Sequence, residues 1–469
     1  MHDWERMKKL QKLQESLRAK LEEVQRIAKH VSTSNHDFTT QITAVSRPEQ
    51  ATRTSELPMG ALHTPGNECQ TVGESHGLRL SLLGRPGTLV DVETCVNLLI
   101  ADFGRESHSG GDVLRQARPM RLISPTVLVA FEAASLLFVG KRYEQRVCEV
   151  AGNAKYQIVL SMLRNDLEDE YKTLSTELLL AVFLAIVIET TQETSQNFLP
   201  LHQYGGLHIL QRRTPFRHSK GLEQSIFIDL RLYWVTAALA CCEPTFMADK
   251  EWLTVPWLSS APDKDILHQL LDIAVEIPGW LFRSRKLEGS AKDSTDLAEQ
   301  VAVRKQSNVL QERLRCWVFT NVVVPDRIPE EESGDDMNTA VNDPVFEFYM
   351  MSAGSHVVAR NLRYPDLLLA TSMCLYWALS IIIMTRAEPR SHNVLAERYV
   401  YACNICRSMK FYVCHAPRCL VVHMMFAFRT ACETFQLGTV ERESAEALIT
   451  LVEKWPKFSD NALRVNRHL

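Results

Sequence analysis

The sequence predicts an all-α protein, and three observations carry that prediction. Apolar residues recur at helical spacing through most of the chain from about residue 120 onward. Two uncharged, strongly apolar runs, Leu178–Ile188 and Leu367–Thr385, are longer than typical strands. Alternating segments bounded by Asn-Gly or Asp-Gly turns, which would mark hairpins, do not recur.

The first segment, Trp4 to Val31, has no Gly or Pro and sets Leu10, Leu17, Val24 and Val31 at one heptad position. Leu13 and Ile27 occupy the other apolar position, which Lys20 interrupts. This spacing predicts a short coiled coil over 1–31; an amphipathic helix packed on its own domain satisfies the same pattern, with Leu21 beside the break. Residues 32–119 follow as a mostly disordered linker. Up to about Arg85 they are rich in Ser, Thr, Gly, Pro, Asn and His, with too little apolar surface to offset the entropy of ordering. A weak helix is expected at Leu89–Phe103, before the Gly-rich break 104–111.

The main domain is expected over 120–469. It starts with a helix striped by Val127, Phe131, Ala134, Leu137 and Phe138, then one around Ala154, Ile158, Leu160 and Leu163. Leu174–Glu189 is a third, fully buried helix. A polar junction with a hairpin at His202 and Gly205-Gly206 comes next. There glycine would let helices approach closely, and His202, His208, Arg212 and Arg213 would cap or hydrogen-bond. The amphipathic run Ile226, Leu230, Tyr233, Trp234, Ala237 leads to Pro244-Thr245-Phe246, Trp252, Pro256 and Trp257, which look like packing anchors. Residues 283–296 and the acidic 328–343 read as solvated loops. The remaining helices are expected at Val301–Asn321, Leu367–Thr385, Ala396–Val413, Val421–Leu437 and Glu441–Trp455. Leu367–Thr385 approaches the length of a bilayer span, but Thr371, Ser372 and Ser380 favour a buried core helix, so no membrane is expected.

With 469 residues, 46% of them apolar and 23% charged, the chain can bury a sizeable core. Its net charge of −4 and pI near 6.4 exclude a generic polyanion binder, so any nucleic-acid contact needs a local patch. The basic residues Arg6, Lys8, Lys9 and Lys12 are the candidates for phosphate contact, although no Asn/Arg base-reading set accompanies them. Twelve scattered cysteines and a polar N-terminus without an apolar signal region point to a reducing compartment, nucleus or cytosol.

Chemistry-bearing motifs are sparse. Gly73-Glu74-Ser75-His76-Gly77 has the letters of a nucleophile elbow but neither the strand before it nor the helix after it. Cys403, Cys406, Cys414, His415 and Cys419 suggest a metal site by composition, yet Cys403 and Cys406 at i, i+3 within a helix read as small core residues. Asp166-Leu167-Glu168-Asp169-Glu170 lies at an expected helix end beside Lys172 and reads as solvated, not as the metal motif of a helical cyclase. No phosphate loop, Gly-x-Gly-x-x-Gly or His-Glu-x-x-His occurs. No catalytic residue, metal or cofactor is therefore expected.

The helical order from Ser124 to Trp257, with the phrase His202-Gln203-Tyr204-Gly205-Gly206 at its junction and Pro244, Phe246, Trp252 and Pro256 at its close, resembles the fungal-specific regulatory domain of binuclear zinc-cluster transcription factors. The resemblance covers about 120–469 and departs at Gly206, where the family has a small Ala. It implies a nuclear regulator of a metabolic pathway, secondary-metabolite pathways among them, with an α-domain that restrains activity or senses a small-molecule effector. It also implies homo- or heterodimerisation through Leu10, Leu13, Leu17, Val24, Ile27 and Val31. A binuclear cluster needs six closely spaced thiolates, and only Cys69 and Cys95 precede Cys148. The DNA-reading head is thus either lost or encoded upstream of Met1, and DNA would be met directly or through a partner. A cytoplasmic helical scaffold derived from such a regulator is the alternative.

Overall fold

The computed structural model describes residues 91–103, 111–169, 171–191, 199–258, 263–289, 296–332, 347–352, 355–387, 392–416 and 422–454. The expected coiled coil and the linker up to residue 90 lie outside these. The described residues are overwhelmingly helical, so the protein is all-α, as its sequence predicts.

Helix α1 (Val92–Phe103) opens with Asp91 accepting a hydrogen bond from the Thr94 amide at 3.2 Å, the contact that satisfies an otherwise orphaned first-turn donor. Its Cys95, Val96, Leu99 and Phe103 are buried, and α2 (Gly111–Ala117) adds Val113 and Leu114 to the same core. Among the described residues, the part of the expected linker from residue 92 onward is therefore largely helical, and the packed core starts upstream of residue 120. The weak helix expected at Leu89–Phe103 is present as α1, whereas α2 is under-read because it is short and follows a Gly-rich stretch.

Helix α3 (Pro125–Arg142) starts from the side chain of Ser124, with Pro125 at its first position. Helix α4 (Arg146–Glu168) packs along it at close range. A Cβ on Gly152 would come within 2.9 Å of the Leu137 amide nitrogen, and one on Gly140 within 2.7 Å of the Glu149 amide. The buried face of α4 is Cys148, Gly152, Tyr156, Val159 and Leu163. This corrects the expected stripe: Leu163 faces inward, but Ala154 and Ile158 lie on the solvent side. Two apolar faces share this helix, and periodicity alone picks the wrong one.

Helix α5 (Thr176–Thr191) is buried without interruption from Leu178 to Glu189. Helix α6 (Leu199–Arg213) corrects the expected hairpin, because Gly205 and Gly206 lie inside one continuous helix. Helix α7 (Gly221–Cys241) is central and touches α2, α5 and α6. The chain then runs through α8 (Lys250–Thr254), α9 (Ile266–Ala274), α10 (Ile277–Gly289) and α11 (Asp296–Val318). Helix α10 overturns the solvated-loop reading for Arg283–Gly289, where Arg285 and Lys286 lie exposed on a helix anchored by the buried Trp280.

Two small antiparallel pairs interrupt the helices. Strand β1 (Glu330–Glu331) pairs with β4 (Leu362–Arg363), and β2 (Tyr349–Ser352) with β3 (Ser355–Val358). The last five helices are α12 (Leu367–Ala387), α13 (His392–Arg407), α14 (Met409–His415), α15 (Val422–Thr434) and α16 (Val440–Lys454). Helix α12 is long and apolar enough to cross a membrane, but 83% of its most apolar window is buried among α9, α11, α13 and α15. It is a core helix here.

Candidate functional site

The described chain concentrates its buried charge along one face of α7. Positions 223, 227 and 231 are spaced by four residues and so line up on that helix. Nearest its start, the guanidinium of Arg213, the last residue of α6, is fully buried. It donates to the Leu174 and Ser175 carbonyls, the latter at 2.6 Å, and pairs with the Glu223 carboxylate. Glu223 also accepts from the Thr176 hydroxyl at 2.5 Å, and Arg217 donates to the Leu174 carbonyl at 2.7 Å. One arginine thus ties the turn before α5, the end of α6 and the start of α7 together.

His218 follows in the short turn after α6. Its Nδ1 lies 3.1 Å from the Glu223 carbonyl oxygen, and its ring packs 5.9 Å from Phe227 and 5.7 Å from Trp252. Burial, with the Arg213 charge nearby, pushes its pKa down to about 4, so the ring is neutral at physiological pH.

Two turns along α7, Arg231 is 1% exposed. It donates to the His268 carbonyl at 3.1 Å and to Asp272 Oδ1 at 2.5 Å. The other Asp272 oxygen accepts from Lys264 Nζ at 2.6 Å, and Lys264 also donates to the Leu253 carbonyl at 2.6 Å. Trp257 closes the group: His268 lies 4.9 Å from it, Lys264 Nζ 5.2 Å and the Arg231 guanidinium 5.6 Å. Burial holds His268 neutral as well. Within this seam, His218 Nε2, Arg213 Nε, Arg231 Nε, Trp257 Nε1 and His268 Nδ1 are buried without a hydrogen-bond partner.

The chemistry of the seam is that of a tie. Arg213, Arg231 and Lys264 each have a carboxylate, and each carboxylate serves two donors. No thiol or hydroxyl in it stands beside a free base. Among the described residues, no three His, Cys, Asp or Glu side chains gather as a metal site.

Sequence-predicted residues fall variously. Leu10, Leu13, Leu17, Val24, Ile27, Val31 and the basic Arg6, Lys8, Lys9 and Lys12 lie outside the described residues, as do Cys69 and Ser75. Arg213 hydrogen-bonds at the junction as expected, whereas His208 and Arg212 are exposed. Gly206 is a point of close helix approach: a Cβ there would meet Trp234 Nε1 and Val182 Cγ1 at 3.3 Å. Trp252 is a buried anchor, 5.0 Å from Phe246. Cys403 and Cys406 are buried in the core, and burial pushes the Cys403 thiol up to about 12, while Cys414 and His415 are exposed. Asp166 pairs with Lys172 at 2.8 Å. The sequence reading missed His218, Glu223, Arg231, Lys264, His268 and Asp272. One signal was present: a charge inside the apolar run Leu230-Arg231-Leu232-Tyr233-Trp234.

No family model and no solved structure matches the chain. Over 250 residues it is 25% identical to an uncharacterized protein of Emericella nidulans. The match covers 51% of this chain and 52% of that protein, so the chain spans about half the length of the relative it matches.

Proposed function

We propose that the protein is a transcriptional regulator of fungal type that controls genes of a metabolic pathway. The observation that carries this reading is the helical order from Ser124 to Trp257, in which α6, the helix that contains the His202-to-Gly206 phrase, packs on both α5 and α7 and the Phe246/Trp252 pair closes the unit. A relative from Emericella nidulans agrees with a fungal setting. The protein acts in the nucleus, not as an enzyme. It dimerises through the heptad residues Leu10 to Val31, and it reaches DNA through Arg6, Lys8, Lys9 and Lys12 or through a partner that owns a DNA-binding head. A small-molecule effector acting on the α-domain fits the same reading.

One observation favours a second reading, a cytoplasmic scaffold derived from such a regulator. Cys95, one of the two cysteines before Cys148, is fully buried in α1 and so is not free to join a metal cluster. Crosslinking of the tagged chain to chromatin in its native cells separates the two. Enrichment at a discrete set of promoters, lost on replacing Leu17 and Val24 with Asp, is the expected result. A cytoplasmic chain with no enrichment would transfer the conclusion to the scaffold.

A further inference from the structure

We infer that the second half of the seam is a binding site for one neutral hydroxyl group, held between Arg231, Trp257 and His268 and reached beside Lys264. The inference concerns the seam alone and does not depend on the regulator reading. Three buried polar atoms there have no partner in the protein: Arg231 Nε, Trp257 Nε1 and His268 Nδ1. Arg231 is 1% exposed and His268 6%, so bulk water does not serve them. Native proteins leave few such groups unpaired, because stripping a polar group of water without replacing the bond is costly. The three share one neighbourhood. The Arg231 guanidinium lies 5.6 Å and the His268 ring 4.9 Å from the centre of the Trp257 ring, and Arg231 donates to the His268 carbonyl at 3.1 Å. One oxygen making hydrogen bonds of about 2.8–3.0 Å spans up to roughly 6 Å between two partners, the scale of this triangle.

What the site accepts follows from the sense of each bond. Arginine Nε and indole Nε1 carry hydrogens and only donate. His268 is neutral, so one ring nitrogen carries a hydrogen and the other accepts. Its Nε2 lies 4.0 Å from Asp265 Oδ2, and that carboxylate favours the hydrogen on Nε2, leaving Nδ1 as the acceptor. Two donors and one acceptor complement a hydroxyl, whose oxygen accepts twice and whose hydrogen is given once. A carboxylate has no hydrogen for His268, and an ammonium has no lone pair for Arg231 and Trp257. Charge points the same way. The cations Arg231 and Lys264 are balanced by Asp272 and Asp265, so no net charge draws an ion in. The route in is short: Trp257 is only partly buried, and the Lys264 ammonium, 5.2 Å from its ring, sits on a flexible stem. A hydroxyl reaches this site from two sources, water or a small alcohol.

The test follows the Trp257 indole hydrogen by nuclear magnetic resonance in the full chain with 15N-labelled tryptophan. Of the eight indole signals, its own is the one that Trp257→Phe removes. In buffer it is expected to exchange magnetisation with a long-lived bound water. Ethanol is the alcohol probe. A saturable shift of this signal, with loss of the water contact, assigns the site to alcohols; a water contact that persists through the titration assigns it to water. Acetate and ethylammonium, matched to ethanol in size, should leave the signal unmoved at the same concentrations. His268→Phe keeps a ring against Trp257 but removes the acceptor, and should abolish the water contact or weaken ethanol binding at least tenfold. His268→Asn, which returns an acceptor oxygen, should restore most of it, with circular dichroism confirming that both variants fold. Neither a water contact nor an ethanol shift, an equal response to acetate or ethylammonium, or a contact untouched in folded His268→Phe would each overturn the proposal; the two ion titrations decide it on the wild-type chain without either variant.

Discussion

Helices α5 and α7 touch each other inside the same core, yet they are held there by different forces. From Leu178 to Glu189, α5 presents apolar side chains on every side and one carboxylate at its end, which accepts from the buried Tyr156 hydroxyl at 2.5 Å. Each Leu or Val there contributes about 1.5–3 kcal/mol by leaving water, in any orientation that fills the space. Helix α7 buries Phe227, Leu230, Tyr233 and Trp234 in the same way, but it also buries Arg231 and carries Glu223 on the adjoining face. An apolar side chain tolerates any apolar neighbour. A buried guanidinium tolerates only a carboxylate or carbonyls at the correct distance. Helix α5 is thus specified by volume and α7 by partners, and the segments that α7 must fix are the irregular ones: the turn before α5, the turn holding His218 and the Trp252–Trp257 stretch.

The largest effect should come from breaking a partnership while keeping the volume of the apolar core. Asp272→Ala leaves Arg231 buried and charged with only the His268 carbonyl, and is expected to cost about 3 kcal/mol or more in urea unfolding. Lys264 is less affected, since its ammonium is partly exposed and can turn to water. Replacing both partners, Arg231→Met with Asp272→Leu, should recover most or all of that loss, because no charge is then stranded. Leu184→Ala in α5, at a fully buried position, should cost a similar 2–5 kcal/mol. A double replacement that is as unstable as Asp272→Ala alone would show that the seam is held by packing and erase the distinction between the two helices.

Acid tests the same contrast through a different group. His218 has an unfolded pKa near 6.5 and a folded one of about 4. Between those values the unfolded chain binds a proton that the folded chain refuses, so stability falls as pH drops from about 6.5 to 4 and levels off below. At about 1.4 kcal/mol per unit, the full effect is roughly 3 kcal/mol at most. His268 shifts in the same direction and adds to the slope. His218→Gln should therefore flatten the curve of unfolding free energy against pH without abolishing its slope. An unchanged slope would mean that the ring is protonated in the folded protein.

The difference between the two helices also explains what could be read in advance. Volume-driven elements were legible: α5, α12 and the inward positions of α3 follow from apolar period and run length, which depend only on neighbours along the chain. Partner-driven features were not. Arg231 was visible as a charge in an apolar run, but Asp272 and Lys264 are 41 and 33 positions away, and nothing local marks them as its partners. Helix α4 failed for a related reason, because two apolar faces make its period ambiguous and only the position of α3 decides which is buried. The heptad residues Leu10 to Val31 lie outside the described residues, so their role rests on spacing alone.

The smallest effects, at neighbouring glycines of α6, sharpen the contrast to single atoms. Alanine is favoured over glycine in a helix interior by up to about 1 kcal/mol. A Cβ on Gly205 would meet nothing within 4 Å, so Gly205→Ala should gain about 0.5–1 kcal/mol. A Cβ on Gly206 would sit 3.3 Å from both Val182 Cγ1 and Trp234 Nε1, and Trp234 is fully buried with nowhere to go. Crowding should cancel the propensity gain there and leave Gly206→Ala unstable by about 1 kcal/mol. Val182→Ala removes one of the two obstructing atoms, and in that background Gly206→Ala should cost less, the coupling expected of side chains in contact. If the two glycine replacements were equally stabilising, or if Val182→Ala left the cost at 206 unchanged, then volume would not be limiting where α5, α6 and α7 meet, and the account of α5 as a helix specified by volume would fail at its closest contact.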